Sequence, residues 1–334
     1  MKRILDLRSD TLTCPTPEMR EAMSCAPVGD SFYDEDPTVL ALEQRTAELF
    51  GHEAALFVPS GTMSNQIALQ LHCIPGDAVF CAPDNHILRA ESGALAALAG
   101  LQPVAPQLVD GFKPCLESLE ELFVGEGSFV APATKLLALE NTHLFSGGRI
   151  HELEHLQQLS SWSRGKGIAI HMDGARLWHA HVATQTPLRV YGALFDTLSV
   201  CFSKGLGAPV GSCLIGSRKH IHRAKLLRKR LGGTMRQAGI LAAGALWALE
   251  HHIPELKQDH LKASTLANWL RSILPHAEVP QPESNIVILK FSIPALKLLE
   301  ELKRNHGILL SALNPKTLRA VCHRDVTLAE IESL

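Results

Sequence analysis

The sequence predicts an α/β fold: a mainly parallel sheet flanked by helices, followed by a small α+β unit at the C-terminal end. Three observations carry this. Short apolar runs alternate with helix-length segments from residue 54 to about 216, which is the rhythm of strand–helix–strand crossovers. Two of those runs end in a charged residue: Ile168, Ala169 and Ile170 lead into Asp173, and Leu198, Val200 and Phe202 lead into Lys204. After Ile253-Pro254 the character shifts to a shorter mixed series. With 334 residues, too many for one simple core, this places a boundary near residue 250, with a large unit at 1–250 and a small one at 251–334.

The elements follow in order. Thr13-Cys14-Pro15-Thr16-Pro17 is turn-forming, and 18–24 reads as a brief helix. Asp36-Pro37-Thr38 opens a helix to Phe50, with Pro37 just inside its start and Leu40, Leu42, Ala47 and Leu49 on its apolar side. Gly51 stops it. A buried strand at 54–58 turns through Ser60-Gly61-Thr62 into a helix to His72. The alternation continues with strands at 78–81, 102–104 and 134–139 and helices at 91–99, 116–122 and 152–164. Strands then end at Asp173 and near Lys204, and 211–215 doubles back. The stretch 218–250 reads as helix, broken by Gly232-Gly233. The small unit reads as helix 256–274, strand 286–291, helix 294–305, strands 308–311 and 318–322, and a terminal helix.

Composition narrows the function classes. Hydrophobic residues make up 46% and charged residues 20%, a globular balance, and the net charge of −2 gives no electrostatic case for nucleic acid or an anionic membrane. Met1-Lys2-Arg3-Ile4-Leu5-Asp6 reaches its acid too soon for a signal peptide. No apolar run approaches the ~18 residues of a spanning helix; the richest, 241–249, suits a buried helix. The eight Cys form no C-x-x-C pair and read as reduced thiols of a cytoplasmic protein. The 17 His lack H-E-x-x-H or a Cys partner at ligand spacing, so no metal is expected.

The chemistry lies at the strand ends. Asp173 before Gly174 is compatible with a turn-forming acid, but with Arg176 close behind, it sits where open sheets bind ligands. Lys204 is compatible with a loop lysine, but it follows an apolar strand and precedes the small Gly205-Leu206-Gly207-Ala208-Pro209 turn. An acid and a lysine on two strand ends suit pyridoxal 5'-phosphate: the lysine forms a Schiff base with its aldehyde, and the acid keeps the pyridine nitrogen protonated. Ser60-Gly61-Thr62 is either a plain N-cap or an anion site at a helix N-terminus, and a cofactor phosphate favours the second. His86, after Pro83-Asp84-Asn85, is either a satisfied loop histidine or a ring over the cofactor that moves protons. Asn141-Thr142-His143 forms a second polar cluster beyond a strand.

Taken together, these segments resemble the low-specificity L-threonine aldolases, within the fold-type I pyridoxal-phosphate enzymes. The resemblance runs through Asp6-Leu7-Arg8-Ser9-Asp10-Thr11, Glu35-Asp36-Pro37-Thr38, Phe57 to Asn65, His86 with Glu91, Leu139 to His143, His171 to Arg176, Ser203 to Gly211 and Met235 to Gly239. It implies an aspartate aminotransferase-like large domain with a seven-stranded, mainly parallel sheet. It implies cleavage of the Cα–Cβ bond of L-threonine or L-allo-threonine to glycine and acetaldehyde, and of other β-hydroxy-α-amino acids such as phenylserine. Lys204 then matches the Schiff-base lysine, Asp173 the pyridine partner, and His86 the stacked ring. Ser60, Gly61 and Thr62 match the phosphate site, with Arg236 reaching it from a neighbouring subunit. Ser9, Arg176 and Arg319 match the groups that grip the substrate carboxylate, with Arg176 also beside the cofactor and Lys229 a basic residue near the site. His143 matches the contact to the β-hydroxyl; the base is His86, His143 or a water they hold. A homotetramer, a dimer of dimers with shared sites, is also implied.

The chain departs from that pattern at Ala90, where an aromatic is usual, at Leu144-Phe145-Ser146, at Asp34 and at an early C-terminus. None of these touches Lys204 or Asp173, so cofactor chemistry is less affected than substrate preference. The rivals are a fold-type I lyase or desulfurase acting at Cβ or Cγ, and a binding module that has lost catalysis. A desulfurase wants a nucleophilic Cys in a polar loop, and the intact Lys204, Asp173 and His86 argue against a bare binding module.

Overall fold

The computed structural model describes residues 4–334; Met1-Lys2-Arg3, part of the leader reading, lies outside them. The large sheet has seven strands: β1 (Ala54–Val58), β2 (Ala78–Phe80), β3 (Gln102–Val104), β4 (Thr134–Glu140), β5 (Ala169–Gly174), β6 (Thr197–Cys201) and β7 (Ser212–Gly216). Their order is β1-β7-β6-β5-β4-β2-β3. Only β7 is antiparallel, to both β1 and β6, as the doubling back at 211–215 predicts. The other six strands therefore run the same way, and their carboxyl ends share one edge. Strands buried on both faces read as near-continuous apolar runs; β6 is buried throughout, and Leu198, Val200 and Phe202 contribute about 1.5–3 kcal/mol each by leaving water.

Local chemistry starts and stops the flanking helices where the sequence places them. Asp36 caps Pro37–Phe50, its Oδ1 accepting from the Thr38 and Val39 amides at 3.1 and 3.0 Å, while Oδ2 accepts from Gly239 at 2.8 Å. Gly51 ends that helix in the left-handed region, φ 67°. Ser60 caps Gly61–His72 by accepting from the Met63 amide at 3.2 Å. The long basic stretch splits at Gly232-Gly233 into Arg218–Arg230 and Gly239–His251.

Three of the differences from expectation are the largest. The helix over 91–99 is replaced by a short helix, His86–Arg89, and a π-helical turn, Leu95–Ala99, separated by Ser92 and Gly93 at positive φ. Glu91 turns inward there and the chain cannot continue as a helix. Leu177–Thr184 is a helix that pattern reading misses, because Leu177, Trp178, His179 and Ala180 are all buried and leave no polar stripe. The strand over 308–311 divides: Ile308–Leu309 pairs in parallel with Leu5–Asp6, and Ser311–Asn314 joins the small sheet.

That small sheet is antiparallel, with β8 (Ile286–Lys290) and β9 (Ser311–Asn314) on either side of β10 (Thr317–Val321). Its core holds Leu266, Leu270, Val287, Leu289 and Leu318, and Leu5 and Leu7 from the N-terminal segment lie in the same cluster. The main core is formed by β4 to β7 with the helices around them. Among the described residues, no helix is long and apolar enough to cross a membrane.

Candidate active site

The shared edge of the sheet gathers the candidates. Ser60-Gly61-Thr62 follows β1, His86 follows β2, His143 follows β4, Asp173 ends β5 and Lys204 follows β6. Carboxyl ends of parallel strands are where open sheets bind ligands.

Asp173 is 3% exposed and forms no ion pair with a described residue. Its Oδ1 accepts from the Ala175 amide at 3.1 Å and its Oδ2 from Asn65 Nδ2 at 2.7 Å. Asn65 Nδ2 also donates to Glu91 Oε1 at 2.8 Å, and Gln66 Nε2 donates to Glu91 Oε2 at 2.8 Å. Glu91 Oε1 meets His86 Nδ1 at 2.9 Å. Burial pulls the His86 pKa down, but the bond to Glu91 and the charges of Asp173 and Glu140 outweigh it, and the net shift is upward. His86, Glu91 and Asp173 bring ligand-type atoms within 4.8 Å of one another; a cation there would compete with the Asn65 amide for both carboxylates.

Glu140, at the end of β4, ties the two histidine loops together. Its oxygens accept from the His86 and Leu144 amides, both at 2.9 Å, and burial raises its pKa. The next peptide, Asn141-Thr142, is cis. His143 is buried, its Nε2 3.4 Å from Asp84 Oδ1 and its Nδ1 accepting from the Ser146 amide at 3.3 Å. Burial lowers its pKa, the Asp84 and Glu140 carboxylates raise it, and the carboxylates win. The side chains of Asn141 and Thr142 have no hydrogen-bond partner among the described residues, and His143 Nε2 has only Asp84. Unpaired buried polar atoms are costly, so this loop is built to receive something. Beyond it, Asp84, Arg89, Phe145 and Ser146 line a cavity of about 620 Å³ that extends to β8.

Lys204 Nζ makes no hydrogen bond or ion pair with another described residue; its carbonyl oxygen is held by Thr13 Oγ1 at 2.8 Å. At the head of the Gly61–His72 helix, a Cβ on Gly61 would come within 2.7 Å of Cys201 Sγ, so only glycine lets the helix start sit this close to β6. Exposed Thr62 follows at the open amide end.

The structure separates the candidate cations. Arg176 is buried and bidentate to Asp10, Nε to Oδ2 at 2.8 Å and a terminal nitrogen to Oδ1 at 2.6 Å. Burial would raise the Asp10 pKa, but the Arg176 guanidinium holds it well below the usual carboxylate range. Arg319, on β10, forms no ion pair with a carboxylate among the described residues: it donates to Ser311 Oγ at 3.2 Å and to the Arg8 carbonyl at 3.1 Å. Burial, then the like charge of Arg176, pulls its pKa down to about 10. Ser9 Oγ accepts from Thr11 Oγ1 at 2.9 Å and caps the turn leading to Asp10. Lys229 and Arg236 lie apart from this group, each 5.1 Å from the Phe32 ring centroid, with Arg236 also 3.5 Å from Asp30.

Asp10, Asn65, Gln66, Glu91, Glu140 and His171 also belong to the site, although sequence reasoning assigns them no role. Several lie in the quoted motifs; only their long-range bonds reveal what they do.

A model of the beta-eliminating lyase family matches residues 6–293. The chain is 40% identical to low-specificity L-threonine aldolase 1 of Arabidopsis thaliana, over 98% of this chain and 94% of that one. It is 39% identical to the low specificity L-threonine aldolase of Escherichia coli K12, over 98% of this chain and 97% of that one. The chain belongs to the low-specificity L-threonine aldolases. The fold agrees: the threonine aldolase structure of Leishmania major superposes with a TM-score of 0.85 at 21% identity, covering 98% of this chain and 97% of that one. The chain is thus a lyase of the fold-type I class, and the cofactor that goes with this family is pyridoxal phosphate. The residues present fit that group. A buried carboxylate without a cation suits a protonated ring nitrogen, and a partnerless lysine amine on the neighbouring strand suits its aldehyde.

Proposed function

We propose that this chain cleaves the Cα–Cβ bond of L-threonine or L-allo-threonine, giving glycine and acetaldehyde, and that it also takes other β-hydroxy-α-amino acids such as phenylserine. The observation that carries the reading is the pairing of Lys204, whose amine has no partner among the described residues, with the buried, cation-free Asp173 at the ends of adjacent strands β6 and β5. Pyridoxal phosphate, when bound, supplies the electron sink for bond cleavage.

The chain's residues would divide the work as follows. Lys204 Nζ binds the cofactor aldehyde. Asp173 binds the pyridine nitrogen through a charge-assisted hydrogen bond, which burial strengthens. Ser60, Gly61 and Thr62 hold the phosphate at a helix N-terminus, where free amides and the helix dipole favour an anion. His86, fixed by Glu91, lies over the ring. Arg319 and Ser9, with Arg176 beside Asp10, bind the substrate carboxylate, and this orients the Cα–Cβ bond for cleavage. His143, held in place by Asp84, binds the β-hydroxyl, whose proton passes to His86, to His143 or to a water they hold. Arg236, placed away from this group, reaches the phosphate of a neighbouring subunit in a homotetramer, and Lys229, beside the same Phe32 ring, is a further basic residue for a substrate site.

The test is optical and chemical. The purified protein with pyridoxal phosphate absorbs in the visible range, and Lys204→Ala abolishes the band and lowers turnover roughly a thousandfold or more. A colourless protein indifferent to pyridoxal phosphate sinks the reading. Ammonia and a keto acid from threonine, in place of glycine and acetaldehyde, replace aldol cleavage by elimination. A panel of β-hydroxy-α-amino acids, scored for aldehyde release, sets the preference.

A further inference from the structure

A continuous line of buried hydrogen bonds leaves the far side of Asn65. Asn65 Oδ1 lies 3.2 Å from His171 Nε2. His171 Nδ1 lies 2.9 Å from Thr197 Oγ1 and 3.1 Å from the Thr197 carbonyl. Thr197 Oγ1 in turn lies 2.9 Å from His72 Nε2. The His72 ring stands edge-on to His220, centroids 5.0 Å apart. Asn65, His171 and Thr197 are buried, and the hydrogen bonds of His171 and Thr197 reach Asp173 only through Asn65.

The chemistry of the partners fixes the direction of this chain. Asn65 Nδ2 faces two carboxylates, Asp173 at 2.7 Å and Glu91 at 2.8 Å, and only the amide NH2 group suits that position. Asn65 Oδ1 must then point at His171 and accept from Nε2–H. His171 is neutral, since burial pulls its pKa down to about 4. With its proton on Nε2, as Asn65 Oδ1 requires, its Nδ1 is a lone pair that accepts from the Thr197 hydroxyl, and the Thr197 carbonyl, itself an acceptor, makes no hydrogen bond to it. That hydroxyl, having given its proton to His171, accepts from His72 Nε2–H. Burial, with His171 and His220 nearby, holds His72 neutral as well, at about 3. Every donor therefore points toward Asp173 and Glu91, and aligned hydrogen bonds polarise one another.

We propose that His171, backed by Thr197 and His72, is a positioning residue for Asp173: it locks the Asn65 amide so that it donates into the carboxylate that faces the pyridine nitrogen. The chain is neutral, and this matters. An arginine or lysine on Asp173 would cancel the charge that a pyridinium needs, whereas a neutral donor supports the carboxylate and leaves its charge available. The inference rests on the reading that Asp173 binds the pyridine nitrogen.

The test compares two ligands on protein stripped of cofactor: pyridoxal phosphate, and its 1-deaza analogue, in which C–H replaces the ring nitrogen. The readout is the ratio of their dissociation constants. Asp173→Asn brings the ratio close to one. His171→Leu lowers the preference for pyridoxal phosphate roughly tenfold, the scale of one weakened bond to a charged group. Thr197→Val, which removes only the hydroxyl and keeps the shape, moves the ratio in the same direction and covers the case in which His171→Leu fails to fold. A ratio unchanged in both variants while Asp173→Asn collapses it overturns the proposal, as does an equal loss of affinity for both ligands. If Asp173→Asn also leaves the ratio unchanged, the reading of Asp173 itself falls, and the relay falls with it.

Discussion

The two sides of the active site differ in how their polar atoms are satisfied. On the Asp173 side, Asn65, Glu91 and His171 spend every side-chain donor and acceptor on one another or on Asp173, His86, Gln66 and Thr197. On the His143 side, the side chains of Asn141 and Thr142 lack hydrogen-bond partners among the described residues, His143 Nε2 and Asp84 Oδ1 have only each other at 3.4 Å, and Asp84 lines a cavity of about 620 Å³. A cofactor is the same in every turnover, so its half of a site gains by being wired in advance. A substrate comes and goes, and its half must leave polar groups unspent until it arrives. The difference supports the proposed division, with the cofactor on the first side and the substrate on the second, although Gln66 Oε1 on the first side also has no partner among the described residues.

The sharpest way to break this division is to remove His143. His143→Ala takes away the candidate proton acceptor on the open side and removes no side-chain hydrogen bond of the wired side. The expected loss in kcat/KM is roughly 10²- to 10⁴-fold, the range for a positioned general base, with the visible spectrum of the bound cofactor unchanged. A variant that loses its spectrum with its activity would show that the two halves are one unit.

The two arginines offer a second contrast. Arg176 is bound to Asp10 before any substrate arrives; Arg319 has only a hydroxyl and a carbonyl, and its pKa is held down to about 10 by burial and by Arg176. Arg176→Leu leaves Asp10 buried without its partner and costs about 3–5 kcal/mol of stability, read as a lowered denaturation midpoint. Arg319→Leu leaves the midpoint close to wild type and raises KM roughly 10- to 150-fold, the worth of a hydrogen bond to a charged carboxylate. The opposite pattern, a stability loss at Arg319 and a KM effect confined to Arg176, would exchange their roles.

The same division explains what the sequence makes legible. Asp173 and Lys204 are readable because each ends an apolar run, and a charge at the end of a buried strand is a local signal. The helix caps at Asp36 and Ser60 are local too, and both form as the sequence predicts. Asp10 carries no such mark: its partner Arg176 lies 166 positions away, and the residue between Ser9 and Thr11 reads as part of a turn. Asn65 and His171 are hidden for the same reason, since a polar side chain inside an apolar helix or strand looks like an interruption until its partner 106 positions away is known. The helix over 91–99 fails at Glu91, where three long side-chain bonds outweigh helical propensity. Local rules find the candidate residues at the strand ends; long-range hydrogen bonds hold them, and those emerge only from the fold.

The smallest expected effect is the most specific to the open side. Asp84 stands 3.4 Å from His143 Nε2, and its carboxylate helps to raise the His143 pKa against the opposing pull of burial. If His143 takes the β-hydroxyl proton, it must be neutral, so activity rises with pH through its pKa. Asp84→Asn removes the negative charge but keeps the size of the side chain. The His143 pKa then falls, and the ascending limb of the kcat/KM profile moves to lower pH. Above both pKa values the two proteins turn over at similar rates, because His143 is neutral in each. An acid limb that stays in place would mean that another group, His86 or a bound water, takes the proton, and that His143 only binds the hydroxyl.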